Sequence, residues 1–156
     1  PGFGAKARVG FGVASLALLA VALVWAAPAL RESAVARAAS AEDGPWQPWS
    51  AERVAALQAE GRPVFVDFTA AWCVTCQVNK RTTLSRPEVM AAFEQRRVVL
   101  LRADWTRRDA AITAELAKLQ RNGVPVYALY APQSPTPMVL SELLSVQEIR
   151  DALARL

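Results

Sequence analysis

Cys73 and Cys76, in the run "AAWCVTCQ", are the two cysteines of this 156-residue chain, and the chain contains no histidine. A zinc site with four Cys or His ligands therefore cannot be assembled within one chain, and a Ser-His or Cys-His catalytic pair is excluded as well. Two cysteines also cannot form a framework of several disulfides. The pair remains open to three interpretations: a redox centre, a single structural disulfide, or half of a metal site shared between chains.

The two cysteines fall where a predicted strand passes into a predicted helix. In the first turn of a helix, unpaired backbone N–H groups and the helix dipole favour an anion, so this position favours the thiolate form of Cys73. Cys76 lies about one helical turn further on and is expected to resolve the mixed disulfide that forms when Cys73 attacks a substrate. The same geometry predicts that Cys73 is exposed and Cys76 more buried.

From Ser50 onward the sequence alternates between helical and strand patterns. Short apolar runs rich in β-branched and aromatic residues predict strands; these runs are "PVFVDFTA", "RVVLLRADW", "VPVYALYA" and "PMVLSELL". Capping patterns place helix starts at Ser50, at a Ser85–Glu88 capping box and at Ser145. Helices separate the first three strands, which predicts crossover connections, and a tight turn predicts an antiparallel last pair. The predicted fold class is α/β, a mixed sheet flanked by helices.

The run "VDFTAAWCVTC", followed later by "GVPVY", resembles the thioredoxin family. Trp72 directly before the cysteines, Asp67 upstream of them and the Val124–Pro125 step carry the resemblance. It implies a thioredoxin-like fold over residues 50–156, with the cysteine pair as a redox-active disulfide and no further cofactor or metal.

The resemblance also implies a role for each of the matching residues. Pro125 is expected to follow a cis peptide bond beside the disulfide, and the backbone of Val124 to pair with an extended substrate. Asp67 corresponds to a buried carboxylate that assists proton transfer to and from Cys76. Trp72 is expected to pack against the pair and to contact the substrate.

The longer run "DFTAAWCVTCQVNK" is more similar to the DsbD family of transmembrane thiol:disulfide interchange proteins than to soluble thioredoxins. In that family a C-terminal periplasmic domain takes electrons from a cysteine pair of the membrane domain and passes them to an N-terminal periplasmic domain. The resemblance implies a protein-disulfide reductase at the inner membrane, with its thioredoxin-like domain on the periplasmic side and protein thiols and disulfides as partners.

Lys80 departs from the family, in which an acidic residue is frequent at this position. A cation at this position favours the thiolate forms of the cysteines.

Val9 to Leu30 contains no charged residue. As a helix this segment reaches about 33 Å, which is enough to cross a hydrocarbon core of about 30 Å. The apolar region of a signal peptide is the alternative, but such regions normally end at about 15 residues. Residues 9–30 are therefore predicted to form one transmembrane helix, whose orientation stays open because two basic residues flank each of its ends.

Residues 31–49 are rich in Ala, Ser, Pro and charge and lack apolar periodicity, which is typical of a tether. Trp46 and Trp49 are unusual in a free linker. They are predicted to pack against the edge of the domain that follows.

The formal net charge of +4 does not indicate nucleic-acid binding. Lys6 and Arg8 precede the apolar segment, and no basic stripe interleaved with aromatic residues follows it.

Three functions agree with these patterns. The leading one is a membrane-tethered protein-disulfide reductase that acts as an electron relay. The second is a membrane-anchored thioredoxin-like protein of cytochrome c maturation, and the third is a thioredoxin-fold binding module whose disulfide is only structural. The presence of Trp72, Asp67 and Pro125 together argues against the third. The direction of electron flow depends on the reduction potential rather than on the motif.

Overall fold

A computed structural model of the chain describes residues 44–132, 134 and 136–156. The predicted transmembrane helix at 9–30 and most of the predicted tether lie outside these residues. Among the helices that are described, none has the length and apolar character needed to span a membrane.

In the described part of the chain, the strands form one sheet in the order β1-β3-β2-β4-β5. These strands are β1 (Gln47–Pro48), β2 (Val64–Thr69), β3 (Val99–Asp104), β4 (Val126–Tyr130) and β5 (Met138–Val139). β1 and β2 run parallel to β3, whereas β4 is antiparallel to both β2 and β5. Every residue of β2 and β4 is buried, as apolar runs of this kind predict for strands inside a sheet.

Helices cover both faces of this sheet. They are α1 (Ala51–Ala59), α2 (Val74–Asn79), α3 (Pro87–Gln95), α4 (Ala110–Lys118) and α5 (Val146–Leu153), and a π-helical turn (Lys80–Leu84) continues α2. Leu57 of α1 and Leu116 of α4 pack on one face, and Phe93 of α3 and Ile149 of α5 pack on the other. The predicted α/β class, a mixed sheet flanked by helices, is confirmed.

The direction of β4 differs from the sequence prediction, in which a crossover made it parallel. Residues 119–125 carry the chain from α4 to the end of the sheet where β2 and β3 finish. β4 therefore starts beside the end of β2, with Val126 opposite Phe68, and runs in the opposite direction. The predicted antiparallel pairing of the last two strands is confirmed.

The predicted Ser85–Glu88 capping box is also wrong. α3 begins at Pro87, which suits the first helical position because its missing N–H would have no partner there. Ser85 instead donates to the carbonyl oxygen of Arg81 at 2.8 Å, and Glu88 pairs with Arg86 at 3.0 Å.

The compact unit begins at Pro45, before the predicted start at Ser50. Trp46 is buried and packs on the face of the sheet that carries α3 and α5. Trp49 is half-buried and packs on the opposite face. Both tryptophans thus pack against the domain, as predicted, and the short strand between them pairs with β3.

Candidate redox site

The end of β2 and the start of α2 position the two cysteines. Cys73 is the N-cap residue of α2, and its Sγ accepts a hydrogen bond from the backbone N–H of Cys76 at 3.1 Å. Sulfur thereby takes the place that a hydroxyl or carboxylate oxygen occupies at other helix N-termini. The turn before the helix is held at Ala70, whose carbonyl accepts from the N–H of Cys73 at 3.1 Å and from Gln77 Nε2 at 3.2 Å. Negative charge on the Cys73 sulfur is stabilised at this position.

Cys73 and Cys76 form a disulfide with a Cα–Cα distance of 5.3 Å. Cys73 is 6% exposed and Cys76 is 0% exposed. The direction of the predicted asymmetry is confirmed, but Cys73 is less accessible than expected because it shares a small apolar cluster with Ala70, Cys76 and Val124. A partner can therefore reach the disulfide only from the side of Cys73.

Asp67 lies fully buried in β2, with Arg102 of β3 and Tyr127 of β4 as its neighbours across the sheet. Arg102 Nε donates to Asp67 Oδ2 at 3.2 Å. Burial alone favours the neutral form of a carboxylic acid, whereas an adjacent cation favours the carboxylate. The guanidinium of Arg102 therefore stabilises a negative charge in the strand that leads to the cysteine pair.

Tyr127 belongs to the same buried group. Burial raises its pKa above the ordinary tyrosine range, and the negative charge of Asp67 raises it further. The hydrogen bond from Asn79 and the positive charge of Arg102 act in the opposite direction but do not reverse the shift. Tyr127 is therefore a neutral hydroxyl at physiological pH and belongs to the core.

The Val124–Pro125 peptide bond is cis, as the resemblance implies. Pro125 is buried, and half-buried Val124 packs against the apolar cluster of the disulfide. No hydrogen bond among the described residues uses the backbone N–H or C=O of Val124. These two groups are available to an extended chain that approaches the disulfide.

Trp72 is 50% exposed and is held by the segment that follows β3. Its Nε1 donates to the carbonyl oxygen of Thr106 at 3.2 Å, and the N–H of Ala71 donates to Thr106 Oγ1 at 2.8 Å. The guanidinium carbon of Arg108 lies 5.6 Å from the ring centroid of Trp72 and 5.0 Å from that of Trp105. Two aromatic rings and one cation therefore form a cluster next to Cys73.

Sequence reasoning missed Thr106, Arg108 and Arg102 as parts of the site. A signal for the first two existed, because the parallel pairing of β2 and β3 brings residues after both strands to the same edge of the sheet. Arg102 carried no such signal, since its contact with Asp67 depends on the register between the two strands.

Exposed apolar side chains surround the start of α2. Val74, directly after Cys73, is 77% exposed, and Val78, one turn further along α2, is 41% exposed. Together with Trp72 they form an apolar surface beside the accessible cysteine. Exposed apolar surface of this kind is typical of a protein-binding site.

No group of three or more Cys, Asp or Glu side chains suited to holding a metal ion is found in the described part of the chain.

Lys80, the residue that departs from the DsbD pattern, is half-buried at the start of the π-helical turn.

These features define a class of protein. A disulfide at the N-terminus of a helix, after an inner strand and beside a cis-proline, is the arrangement of a dithiol–disulfide exchange domain. A family model described as Thioredoxin-like matches residues 45–132. The chain belongs to the thioredoxin-like family.

Curated relatives are thiol:disulfide interchange proteins named DsbD. The protein from Cronobacter sakazakii is 40% identical over 79 residues, which is 51% of this chain and 13% of the relative. The protein from Ralstonia nicotianae is 40% identical over 82 residues, or 53% of this chain and 13% of the relative. That from Escherichia coli is 37% identical over 79 residues. The match therefore spans only a small part of these longer proteins.

Solved structures support the fold. The oxidised C-terminal domain of DsbD from Neisseria meningitidis matches with a TM-score of 0.57 at 22% identity, covering 69% of this chain and 96% of that one. A thioredoxin from Thermus thermophilus matches with a TM-score of 0.56 at 24% identity, covering 70% and 84%. The similarity to DsbD that the sequence indicates is confirmed by the curated relatives, and these structures establish the fold.

Proposed function

We propose that this chain is a membrane-tethered protein-disulfide reductase that relays electrons by dithiol–disulfide exchange. It takes electrons from a cysteine pair of a membrane domain and passes them to a periplasmic partner domain. The observation that carries this proposal is the disulfide itself, which is reachable only from Cys73 and lies beside the unused backbone groups of Val124. Similarity to DsbD proteins supports the direction of transfer and the inner-membrane location. The uncharged length of residues 9–30 supports that segment as the anchor.

The reaction begins with the reduced pair. The Cys73 thiolate attacks one sulfur of the partner's disulfide, a Cys73–partner disulfide forms, and the partner's other cysteine leaves as a thiolate. Cys76 then loses its proton and attacks the sulfur of Cys73, which restores the Cys73–Cys76 disulfide and releases the partner's remaining cysteine. Two electrons pass from this domain to the partner, and the same exchange run in reverse with a donor dithiol reloads it.

The surrounding residues serve this exchange in different ways. Asp67, whose Oδ2 accepts a hydrogen bond from Arg102, accepts the proton of Cys76 before its attack. The cis peptide at Pro125 and the free backbone groups of Val124 hold the partner's chain in an extended form beside the disulfide. Trp72, which is half exposed, supplies an apolar contact for the partner.

The deciding experiment is the reduction potential of the Cys73–Cys76 pair in the full chain. The chain is equilibrated against graded thiol/disulfide buffers, with Cys73→Ser as the control that cannot form the bond. A value near that of thioredoxin, about −270 mV, supports a reductase, whereas a value near that of DsbA, about −120 mV, identifies an oxidant and contradicts the proposal. A pair that never equilibrates would instead indicate the binding module with a structural disulfide.

A further inference from the structure

One guanidinium connects the start of the compact unit to the buried carboxylate of the site. The guanidinium carbon of Arg102 lies 4.6 Å from the ring centroid of Trp46. Its Nε donates to Asp67 Oδ2 at 3.2 Å. The same cation thus contacts both a tryptophan of the segment assigned to the tether and the carboxylate proposed to accept a proton.

Trp46 is itself firmly placed. It is 6% exposed, and its ring meets that of Phe65 edge-on at a centroid distance of 6.1 Å. The adjoining strand β1 pairs Pro48 with Arg102, and the N–H of Trp49 donates to the carbonyl oxygen of Arg102 at 3.0 Å. This short segment therefore holds the backbone of Arg102 as well as its side chain.

The side chain of Arg102 is not fully enclosed. The side chain is 16% exposed, whereas that of Asp67 is 0% exposed. A guanidinium at the edge of solvent is better hydrated when it turns outward, and this turn would leave the buried carboxylate without the cation. The face of an indole ring attracts a guanidinium, so the contact with Trp46 favours the position in which Arg102 pairs with Asp67.

We infer that Trp46 is a positioning residue for disulfide exchange. It holds the guanidinium of Arg102 against Asp67, the carboxyl group that is proposed to accept the proton of Cys76. This inference rests on the proposed function. Trp46 touches no reacting atom, so its effect passes entirely through Arg102.

The test separates the two chemical steps with a small disulfide, 5,5′-dithiobis(2-nitrobenzoate), mixed with the reduced full chain. Attack by Cys73 forms a mixed disulfide and releases one thionitrobenzoate. Cys76 then gives its proton to Asp67 and attacks the sulfur of Cys73, which forms the protein disulfide and releases the second thionitrobenzoate. Stopped-flow absorbance follows both releases, and only the second depends on proton transfer from Cys76.

The substitution Trp46→Leu is expected to leave the first release unchanged. It is expected to slow the second by about fivefold or more, which is a part of the ~10²-fold that a general base contributes. Trp46→Phe retains an aromatic face and should restore the second rate. Trp49→Leu is the matched control, because the ring of Trp49 packs on Phe68 at 5.8 Å on the other face of the sheet. It should change neither rate.

A double substitution tests whether Trp46 acts through Arg102. In an Arg102→Met background Trp46 has no cation to hold, so adding Trp46→Leu should slow the second release no further. If the Leu variant lacks the circular dichroism spectrum of the native chain, Trp46→Met takes its place, since methionine keeps apolar bulk without a ring face.

Three results would overturn the inference: a second release as fast as in the wild type, equal slowing by Trp49→Leu, or additive slowing in the Arg102→Met background. Failure of the proposed function looks different. In that case the wild-type chain itself has an oxidising reduction potential or releases no second thionitrobenzoate.

Discussion

Asn79, the last residue of α2, donates from Nδ2 to the hydroxyl of Tyr127 at 2.9 Å. The same Nδ2 donates to the carbonyl oxygen of Glu142 at 2.7 Å, and Asn79 Oδ1 accepts from the N–H of Leu144 at 3.2 Å. One fully buried amide therefore fastens the helix that carries the cysteines to β4 and to the loop before α5. Because β4 directly follows the cis-proline, this amide also fixes the position of the cysteine-bearing helix relative to the cis-proline.

Replacing Asn79 with alanine should therefore destabilise the fold. The change leaves the N–H of Leu144 and the carbonyl oxygen of Glu142 without their partner, and each unsatisfied buried group costs about 1–3 kcal/mol, so a loss of about 2–4 kcal/mol is expected. Urea unfolding measures it. Asn122→Ala, at an exposed position, is the control and should change the free energy of unfolding by less than about 0.5 kcal/mol. Equal effects of the two substitutions would contradict the role assigned to Asn79.

Substitution of each cysteine should block the exchange reaction at a different step. Cys73→Ser removes the attacking sulfur, so the chain should release no thionitrobenzoate from the probe disulfide. Cys76→Ser should release one equivalent and retain the other half of the probe as a stable adduct, because nothing displaces it. Mass spectrometry of the intact chain detects this adduct. An adduct on Cys76 in the Cys73→Ser variant would reverse the assigned roles.

Asp67→Asn should slow the second release of the probe and spare the first. The amide has the size of the carboxylic acid but accepts no proton, so the second rate should fall by about 10²-fold, the lower end of what a general base contributes. Asp151→Asn is the control, since Asp151 is an exposed carboxylate of α5, the last helix of the chain. Equal second rates in the wild type and Asp67→Asn would remove Asp67 from the mechanism.

Arg108 should favour anionic partners at the first step. Its guanidinium lies over the rings of Trp72 and Trp105, and it forms no ion pair with any described residue. Arg108→Ala should therefore slow the attack on anionic 5,5′-dithiobis(2-nitrobenzoate) by about threefold at low salt, with a smaller effect at high salt. Attack on neutral 4,4′-dithiodipyridine should be unchanged. Arg96→Ala, next to the opposite end of the sheet, should affect neither probe.

The two buried tyrosines should make the stability of the fold depend on pH in the alkaline range. Burial raises the pKa of both Tyr127 and Tyr130, and nearby Asp67 and Glu115 add to the respective shifts. The folded state therefore binds these protons more tightly than the unfolded state, whose tyrosines titrate near pH 10. The resulting stabilisation is complete below about pH 10 and is lost as the pH rises above it. Tyrosinate absorbance should appear only together with unfolding, and its appearance in the folded chain near pH 10 would contradict this.

The cysteine turn and the inner strands could be predicted from the sequence because each depends on a local pattern, whereas the cis-proline is implied only by the resemblance to the thioredoxin family. Strand β1 could not be predicted: it is short, contains a proline and shows no alternation, and its place depends on Trp46 and on pairing with β3. The direction of β4 depends on where residues 119–125 return the chain. Arg102 and Asn79 likewise join the site only through contacts between distant parts of the sequence.

Strand β1 pairs with β3 through only two residue pairs, Gln47 with Leu101 and Pro48 with Arg102. Short strands at the edge of a sheet exchange their amide hydrogens through local opening, at a lower free energy than global unfolding requires. Arg102 is therefore bound on one side by the inner strand that carries Asp67 and on the other by a two-residue edge strand. We expect local opening of this edge strand to separate the indole from the guanidinium while the inner strands remain folded.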